Sequence, residues 1–296
     1  MLAIAVALLA APASRAVIEP PPEPVPLGLY DWIGVASIVV AADVVADDSR
    51  YVRAIVKTPI RGGLSGGAPF QIDQRKVNRE REEGVPALEL TKGNAYVMLL
   101  APSTRRTKDA TPIFDLVRGV RGSMLLRVEG SAATIDAIRR LAEVQDRKND
   151  DYLWTALPEF LQDANPVLVD AALDLYAKFR REGPAIAPLL QPLLEHPRPD
   201  FRRRAAALLG RVLLRVEAGD LPERPQLVAE LTGRARRDED ASVRREATAA
   251  LGALPEGSVL EVLRAISRDD PDQNVRFEAQ RSLLKRSQAA PGARFD

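Results

Sequence analysis

The alternation of apolar and polar residues changes period once along this chain, near Gly130. Between residues 33 and 129 the apolar positions come in short β-branched runs. "IGVASIVVAADVVA" and "RYVRAIVKT" are followed by "VPALEL", "NAYVMLLA", "PIFDLV" and "SMLLRVEG", with glycine, proline or polar residues between them. Such runs at short spacing predict about six strands closing into a small barrel or sandwich. Beyond Gly130 the period becomes about 3.6: Ile135, Ile138, Leu141 and Ala142 fall on one face of a helix, and every later segment is helical in pattern. The expected fold is α+β and multidomain, an all-β domain at 33–130 followed by an all-α array at 131–288.

Within the array the pattern repeats. "DEDASVRREATAALG" at 238–252 overlays "DPDQNVRFEAQRSLL" at 270–284, so that Val243, Arg244, Ala247 and Leu251 fall on Val275, Arg276, Ala279 and Leu283. Asp240 and Asp272 take the position just before the helix, where a side-chain oxygen satisfies free backbone N–H groups. "HPRPDFRRRAAALLG" and "DANPVLVDAALDLYAKF" join the set, with Pro199 and Pro166 at the first helical position. The anchors 168, 201, 243 and 275 stand 33, 42 and 32 residues apart, the long interval being filled by "VEAGDLPERP". A second amphipathic helix precedes each of these, as in "PAIAPLLQPLLEH". Four helical hairpins and a lead-in helix at 131–146 follow, each burying the apolar face of its neighbour. Alanine at 172, 205, 247 and 279 marks the seams where helices approach closely.

The repeated Asp-x-Asp-x-x-Val-Arg-x-x-Ala-x-x-x-Leu-Gly string resembles HEAT repeats of the phycobilisome-lyase-like type. The resemblance spans about 150–288, and its first unit departs from it, with Leu168-Val169 where Val-Arg is expected. It implies an α-solenoid whose second helices line a partner-binding face. A fainter resemblance links the β-rich half to netrin/TIMP-like OB-fold domains. Gly93, Tyr96 and Leu99-Leu100 match its pattern, Tyr51, Val56 and Gly62 match roughly, and Ala41 replaces a glycine. The cysteines of the eukaryotic inhibitors are missing, so protease inhibition does not transfer.

Composition narrows the chemistry. With no cysteine, disulfides and thiolate chemistry are excluded, and a single histidine, His196, removes Ser-His-Asp catalysis elsewhere and most metal sites. No cofactor is implied. "RGGLSGG" at 61–67 lacks the Gly-Lys-Ser/Thr ending of a phosphate loop and reads as a hairpin loop. The whole chain carries a net charge of +1, and residues 131–296 hold 26 Lys and Arg against 27 Asp and Glu. That balance speaks against a nucleic-acid groove built on Arg202–Arg204 and Arg236–Arg237. Glu159/Asp163 and Asp170/Asp174 are i, i+4 pairs that nothing places in a cleft.

At the front, the apolar run Leu2–Ala11 with Ser14 and Ala16 reads as a signal peptide over 1–16, which places the protein outside the cytoplasm. A proline-rich linker follows at 17–32, and a disordered tail is expected at 289–296. No later run is long enough for a membrane span. The residues therefore point to an exported, monomeric, non-enzymatic scaffold for a protein partner. Arg203, Arg245 and Arg281 are the candidate contacts, and Arg202, Arg244 and Arg276 are expected to tie units together through exposed or half-exposed bridges. Two other readings remain at this point: an enzyme, lyase or hydrolase, with a site between the domains, and a nucleic-acid-binding array.

Overall fold

The computed structural model describes residues 28–48, 50–79, 90–104, 111–117, 123–126 and 131–289. The signal peptide, most of the proline-rich linker, nearly all of "VPALEL" and the tail beyond 289 lie outside them.

The β-rich half forms strands β1 (Ile38–Asp47), β2 (Tyr51–Arg61), β3 (Pro69–Asp73), β4 (Ala95–Pro102), β5 (Ile113–Leu116) and β6 (Ser123–Leu126). Antiparallel pairs join β1 to β2, β2 to β3, β5 to β4 and β4 to β1, and β3 meets β5 in parallel. The ring therefore closes as a five-stranded barrel, with β6 added outside β4. This is the architecture that the OB-like resemblance implies. Inside it, Val40, Ala42, Val44, Val52, Ala54, Val56, Phe70, Tyr96 and Met98 form one core.

β2 alternates buried and exposed residues, the pattern of a sheet with one wet face. β1 and β4 do not alternate, because both of their faces are covered. Val39, Ala41, Val97 and Leu99 point out of the barrel into a second core shared with the helices. The near-continuous apolar runs of these two strands thus have a tertiary cause. Between β2 and β3 the "RGGLSGG" stretch does close a hairpin. Gly62 takes φ +91°, and a Cβ there would lie 2.7 Å from the Ser37 carbonyl oxygen.

Two short helices interrupt the expected all-β half, α1 (Leu29–Val35) and α2 (Gln74–Arg79). Residues 29–32, counted with the linker, and "IGV", counted with the first strand, belong to α1. The mixed-charge run 75–84 begins as α2, and its remainder from residue 80 lies outside the described residues. β3 was not among the expected strands, because only Phe70 and Ile72 of its five residues mark an apolar run.

Helix α3 (Ser131–Arg147) leads into the array. The hairpins are α4 (Asp150–Leu161) with α5 (Pro166–Phe179), a broken segment at 184–195 with α7 (Pro199–Arg215), α8 (Arg224–Arg237) with α9 (Ala241–Ala253), and α10 (Ser258–Asp269) with α11 (Gln273–Ala289). The broken segment holds the single turn α6 (Ala187–Leu190) between two 3-10 turns, not the continuous amphipathic helix expected. Pro184, Pro188 and Pro192 recur every four residues and remove a backbone donor from each turn. Among the described residues no helix is long and apolar enough to cross a membrane.

Barrel and array share packing through α1. Lys178 of α5 pairs with Asp31 at 2.5 Å, and the Gln145 side chain donates to the Tyr30 carbonyl at 2.9 Å. Arg61 at the end of β2 bridges Asp146 at 2.9 Å and donates to the Ile33 carbonyl at 2.8 Å.

Candidate protein-binding surface

The second helices of the units, α5, α7, α9 and α11, carry the repeated string. The aspartates expected as caps do cap: the Asp240 side chain accepts from the backbone N–H groups of Ser242 and Val243. Asp272 accepts from Asn274 and Val275, and Asn165 from Val167. The Ser242 hydroxyl and those two N–H groups hold the Asp240 carboxyl below the usual carboxylate range. Val243, Ala247, Leu251, Val275 and Ala279 are fully buried, as are Ala172 and Ala205, and Leu283 is partly buried against the same core.

Two residues before each cap stands a second polar residue. Asp238 accepts from the Asp240 N–H at 3.0 Å and Asp270 from the Asp272 N–H at 2.8 Å. Each also receives an arginine from the preceding unit. Arg202 donates through Nε and Nη2 to the two oxygens of Asp238 at 2.9 and 2.8 Å. Arg244 grips Asp270 in the same way at 2.9 and 3.1 Å. The remaining nitrogen, Nη1, turns back onto carbonyls of its own unit's turn, His196 and Pro197 for Arg202, Asp238 and Glu239 for Arg244. Hydrogen bonds donated to Asp238 and Asp270 raise both guanidinium pKa values above the ordinary arginine range, against the opposing pull of burial.

These are therefore buried bridges, where the sequence predicts exposed or half-exposed ones. Arg202 is 5% and Arg244 8% exposed, and every nitrogen of each guanidinium is hydrogen-bonded. Arg276 departs further. Its Nη1 donates to the Asp270 and Pro271 carbonyls at 2.7 and 3.1 Å, but among the described residues no carboxylate meets its fork.

The seam between the first and second units lacks the rung altogether. Val169 stands where arginine is expected, and His196 occupies the place of the aspartate, its Nδ1 accepting from the Arg198 N–H at 3.0 Å. His196 is thus a turn residue, packed on Phe201 with ring centroids 4.7 Å apart. One step earlier the pattern returns, with Arg140 of α3 on Asp163 at 2.5 Å. That contact and the Asn165 N–H outweigh the burial that would raise the Asp163 pKa, and lower it instead.

Glycine is the determinant that the sequence reading passed over. A Cβ on Gly210 would lie 2.5 Å from the Ala250 Cβ, and one on Gly252 would lie 2.2 Å from the Ser282 hydroxyl. The "Leu-Gly" ending of the repeat is what lets α7, α9 and α11 approach closely.

Of the proposed contact residues, Arg245 and Arg281 are exposed and Arg203 is half-buried. Arg281 lies 3.4 Å from Glu278, while Arg203 and Arg245 meet no carboxylate among the described residues. On the other side of the array, a groove of about 720 Å³ runs between the broken segment and α8, lined by Gln191, Glu195, Glu230, Gly233, Arg234 and Arg237. Arg234 pairs with Glu195 at 3.1 Å and Gln191 with Glu230 at 2.6 Å across it. At the junction of barrel and array, the cavity bounded by Tyr30, Asp31, Asp174 and Lys178 measures about 10 Å³. That is room for one water at most.

Comparison with known proteins agrees with this architecture. Residues 186–284 match the family model described as HEAT repeats. A search of curated proteins found no match. Among solved structures, a chain from work described as the structural basis of microtubule plus end tracking by XMAP215, CLIP-170 and EB1 is similar. It shows 16% identity and a TM-score of 0.30, over 58% of this chain and 73% of that one. The matched stretch takes in three of the four hairpins in whole or in large part, and over it the chain is similar to HEAT repeats.

Proposed function

We propose that the chain is an exported, monomeric, non-enzymatic scaffold whose HEAT-repeat array binds a protein partner. HEAT repeats commonly serve protein interaction, and one observation supports that reading here. Every guanidinium nitrogen of Arg202 and Arg244 is hydrogen-bonded at the seams, while Arg203 and Arg245, each one residue further on, meet no carboxylate among the described residues. Side chains with no structural partner are the ones free to serve a partner protein. The near-equal count of acids and bases in the array supports a protein over a nucleic acid. A 10 Å³ cavity at the junction lends no support to a substrate site between the domains. Export rests on the apolar run and small residues of 1–16.

The test uses residues 17–296 as bait in the periplasmic fraction, beside the Arg203→Glu/Arg245→Glu variant. Capture by the parent chain and its loss in the variant, at an unchanged thermal midpoint, is the expected result. Equal capture by both, or a collapsed midpoint in the variant, would reject these arginines as contacts. Expression of the full chain tests export: a mature protein beginning at Val17 is expected, and an uncleaved cytoplasmic product would refute it.

A further inference from the structure

The face of α11 that points away from α9 differs from the equivalent faces inside the array in three ways. The Arg276 fork is held ready by the Asp270 and Pro271 carbonyls, as the other forks are by theirs, yet no carboxylate among the described residues fills it. Phe277 stands where the inner units carry Arg203 and Arg245, and it is 64% exposed. Leu284 stands where they carry Gly210 and Gly252, and it is 58% exposed. At about 100° per residue, Arg276, Phe277 and Leu284 share one side of the helix with Gln273, Gln280 and Ser287.

We infer that this face docks an acidic, amphipathic helical segment of another protein, which places its carboxylate in the Arg276 fork and its apolar side over Phe277 and Leu284. The inference rests on the scaffold reading and names where on the array, and by what chemistry, a partner is held. Two inner seams show the geometry an incoming carboxylate would adopt, bidentate on Nε and Nη2. Leucine at 284 excludes the close approach that Gly210 and Gly252 allow, so a further hairpin of the same repeat does not fit unchanged. A second copy using the same face is also a poor complement. That side of α11 carries no acid, and self-pairing would set arginine beside arginine.

The probe is a fluorescein-labelled, 20-residue amphipathic peptide with leucines along one side, led by Asp-x-Ser so that the aspartate precedes the helix cap by two residues. A twin carries asparagine in its place. Anisotropy titrations use the full chain, with Arg276→Gln, Leu284→Ser, Lys57→Gln and Arg245→Glu variants alongside. The aspartate peptide is expected to bind about five- to tenfold tighter than its twin, an advantage that charge-assisted bonding supplies. Arg276→Gln should abolish that preference, Leu284→Ser should weaken both peptides alike, and Lys57→Gln, at an exposed side chain of the barrel, should change neither. Equal binding of the two peptides, a preference that survives Arg276→Gln, or no binding at millimolar concentration would overturn the inference. So would sedimentation showing self-association of the chain that Arg276→Gln dissolves. Binding lost in Arg245→Glu but kept in Arg276→Gln would sink this site and leave the scaffold reading standing.

Discussion

Two seams of the same array are closed by different chemistry. Between α9 and α11 the Arg244–Asp270 pair is buried, doubly hydrogen-bonded and tied at both ends into the turns that start the helices. Between α5 and α7 the equivalent positions are Val169 and His196, and no ion pair forms there. Other charges hold that seam from the helix flanks. Arg204 reaches Asp170 and Asp174, each at 2.5 Å, and Glu182, whose side chain is fully buried, takes both Arg211 and Arg215. Burial, and then the neighbouring Asp170 carboxylate, push the Asp174 carboxyl above its usual value in spite of Arg204. Buried alanines recur in both places, Ala172 and Ala205 at one and Ala247 and Ala279 at the other, so the packing of the repeat does not depend on the rung. What the rung adds is a fixed register between one turn and the next.

The comparison breaks most directly at Asp270. Asp270→Ala leaves Arg244 with a buried, unpaired fork and frees the Asp272 N–H. A loss of about 3–5 kcal/mol is expected in urea unfolding, because removing one partner of a buried pair costs more than the pair is worth. Asp200→Ala, at an exposed pair with Arg198, should cost no more than about 1 kcal/mol. Equal losses would mean that the rung is no different from a surface bridge. Next in size is Gly210→Ala. The added methyl would meet the Ala250 Cβ at 2.5 Å, and overpacking of this kind costs about 1–3 kcal/mol. Gly219, with nothing within 4 Å of its virtual Cβ, is the matched control.

Much of this contrast was legible before the structure. Spacing located the units, because a large apolar anchor and an alanine recur wherever one hairpin stacks on another, most of them with a capping side chain just before. Asp240, Val243, Ala247 and Leu251 could be assigned on that ground alone. The depth of the rung could not, since Arg244 alternates between flanking and facing the core within a few tens of degrees, and only the neighbouring turn decides whether it is covered. Gly210 and Gly252 were visible as letters, but their role depends on which helix lies opposite. In the barrel, the strands with one wet face show their alternation. β1 and β4 hid theirs, because α1 and α3 cover the outer face that would otherwise have turned polar. The prolines of 184–195 would have predicted the break in that segment, had their four-residue spacing been weighed against its apolar period.

A smaller effect separates cap from rung. Asp240 lies at the surface end of the turn, and Asp240→Ala should cost about 1 kcal/mol, the usual worth of such a cap. Its carboxyl is held below the ordinary range in the folded protein. Its contribution is therefore complete above the unfolded carboxyl value of about 3.9 and is lost as pH falls through the lower folded value. Asp240→Asn keeps the cap without the titration. Unfolding measured from neutral to strongly acid pH should show a shallower acid-side decline in Asp240→Asn than in the parent. Parallel curves would place the proton uptake elsewhere.

The smallest expected effect is also the one that sharpens the comparison most. If the two seams are geometrically equivalent, a rung can be installed at the seam that lacks one. Val169→Arg alone sets a charge at a position that is 3% exposed and should destabilise. His196→Asp alone keeps the acceptor for the Arg198 N–H and should change little. Together they should recover part of the Val169→Arg loss, a coupling of about 0.5–1 kcal/mol in a double-mutant cycle. A net gain over the parent is not expected, since a new buried pair seldom outweighs the apolar contact it replaces. Zero coupling would mean that the proline-broken segment has shifted the turn at His196 out of reach. The register at this seam would then be set by Glu182 and Arg204, with no place left for a rung.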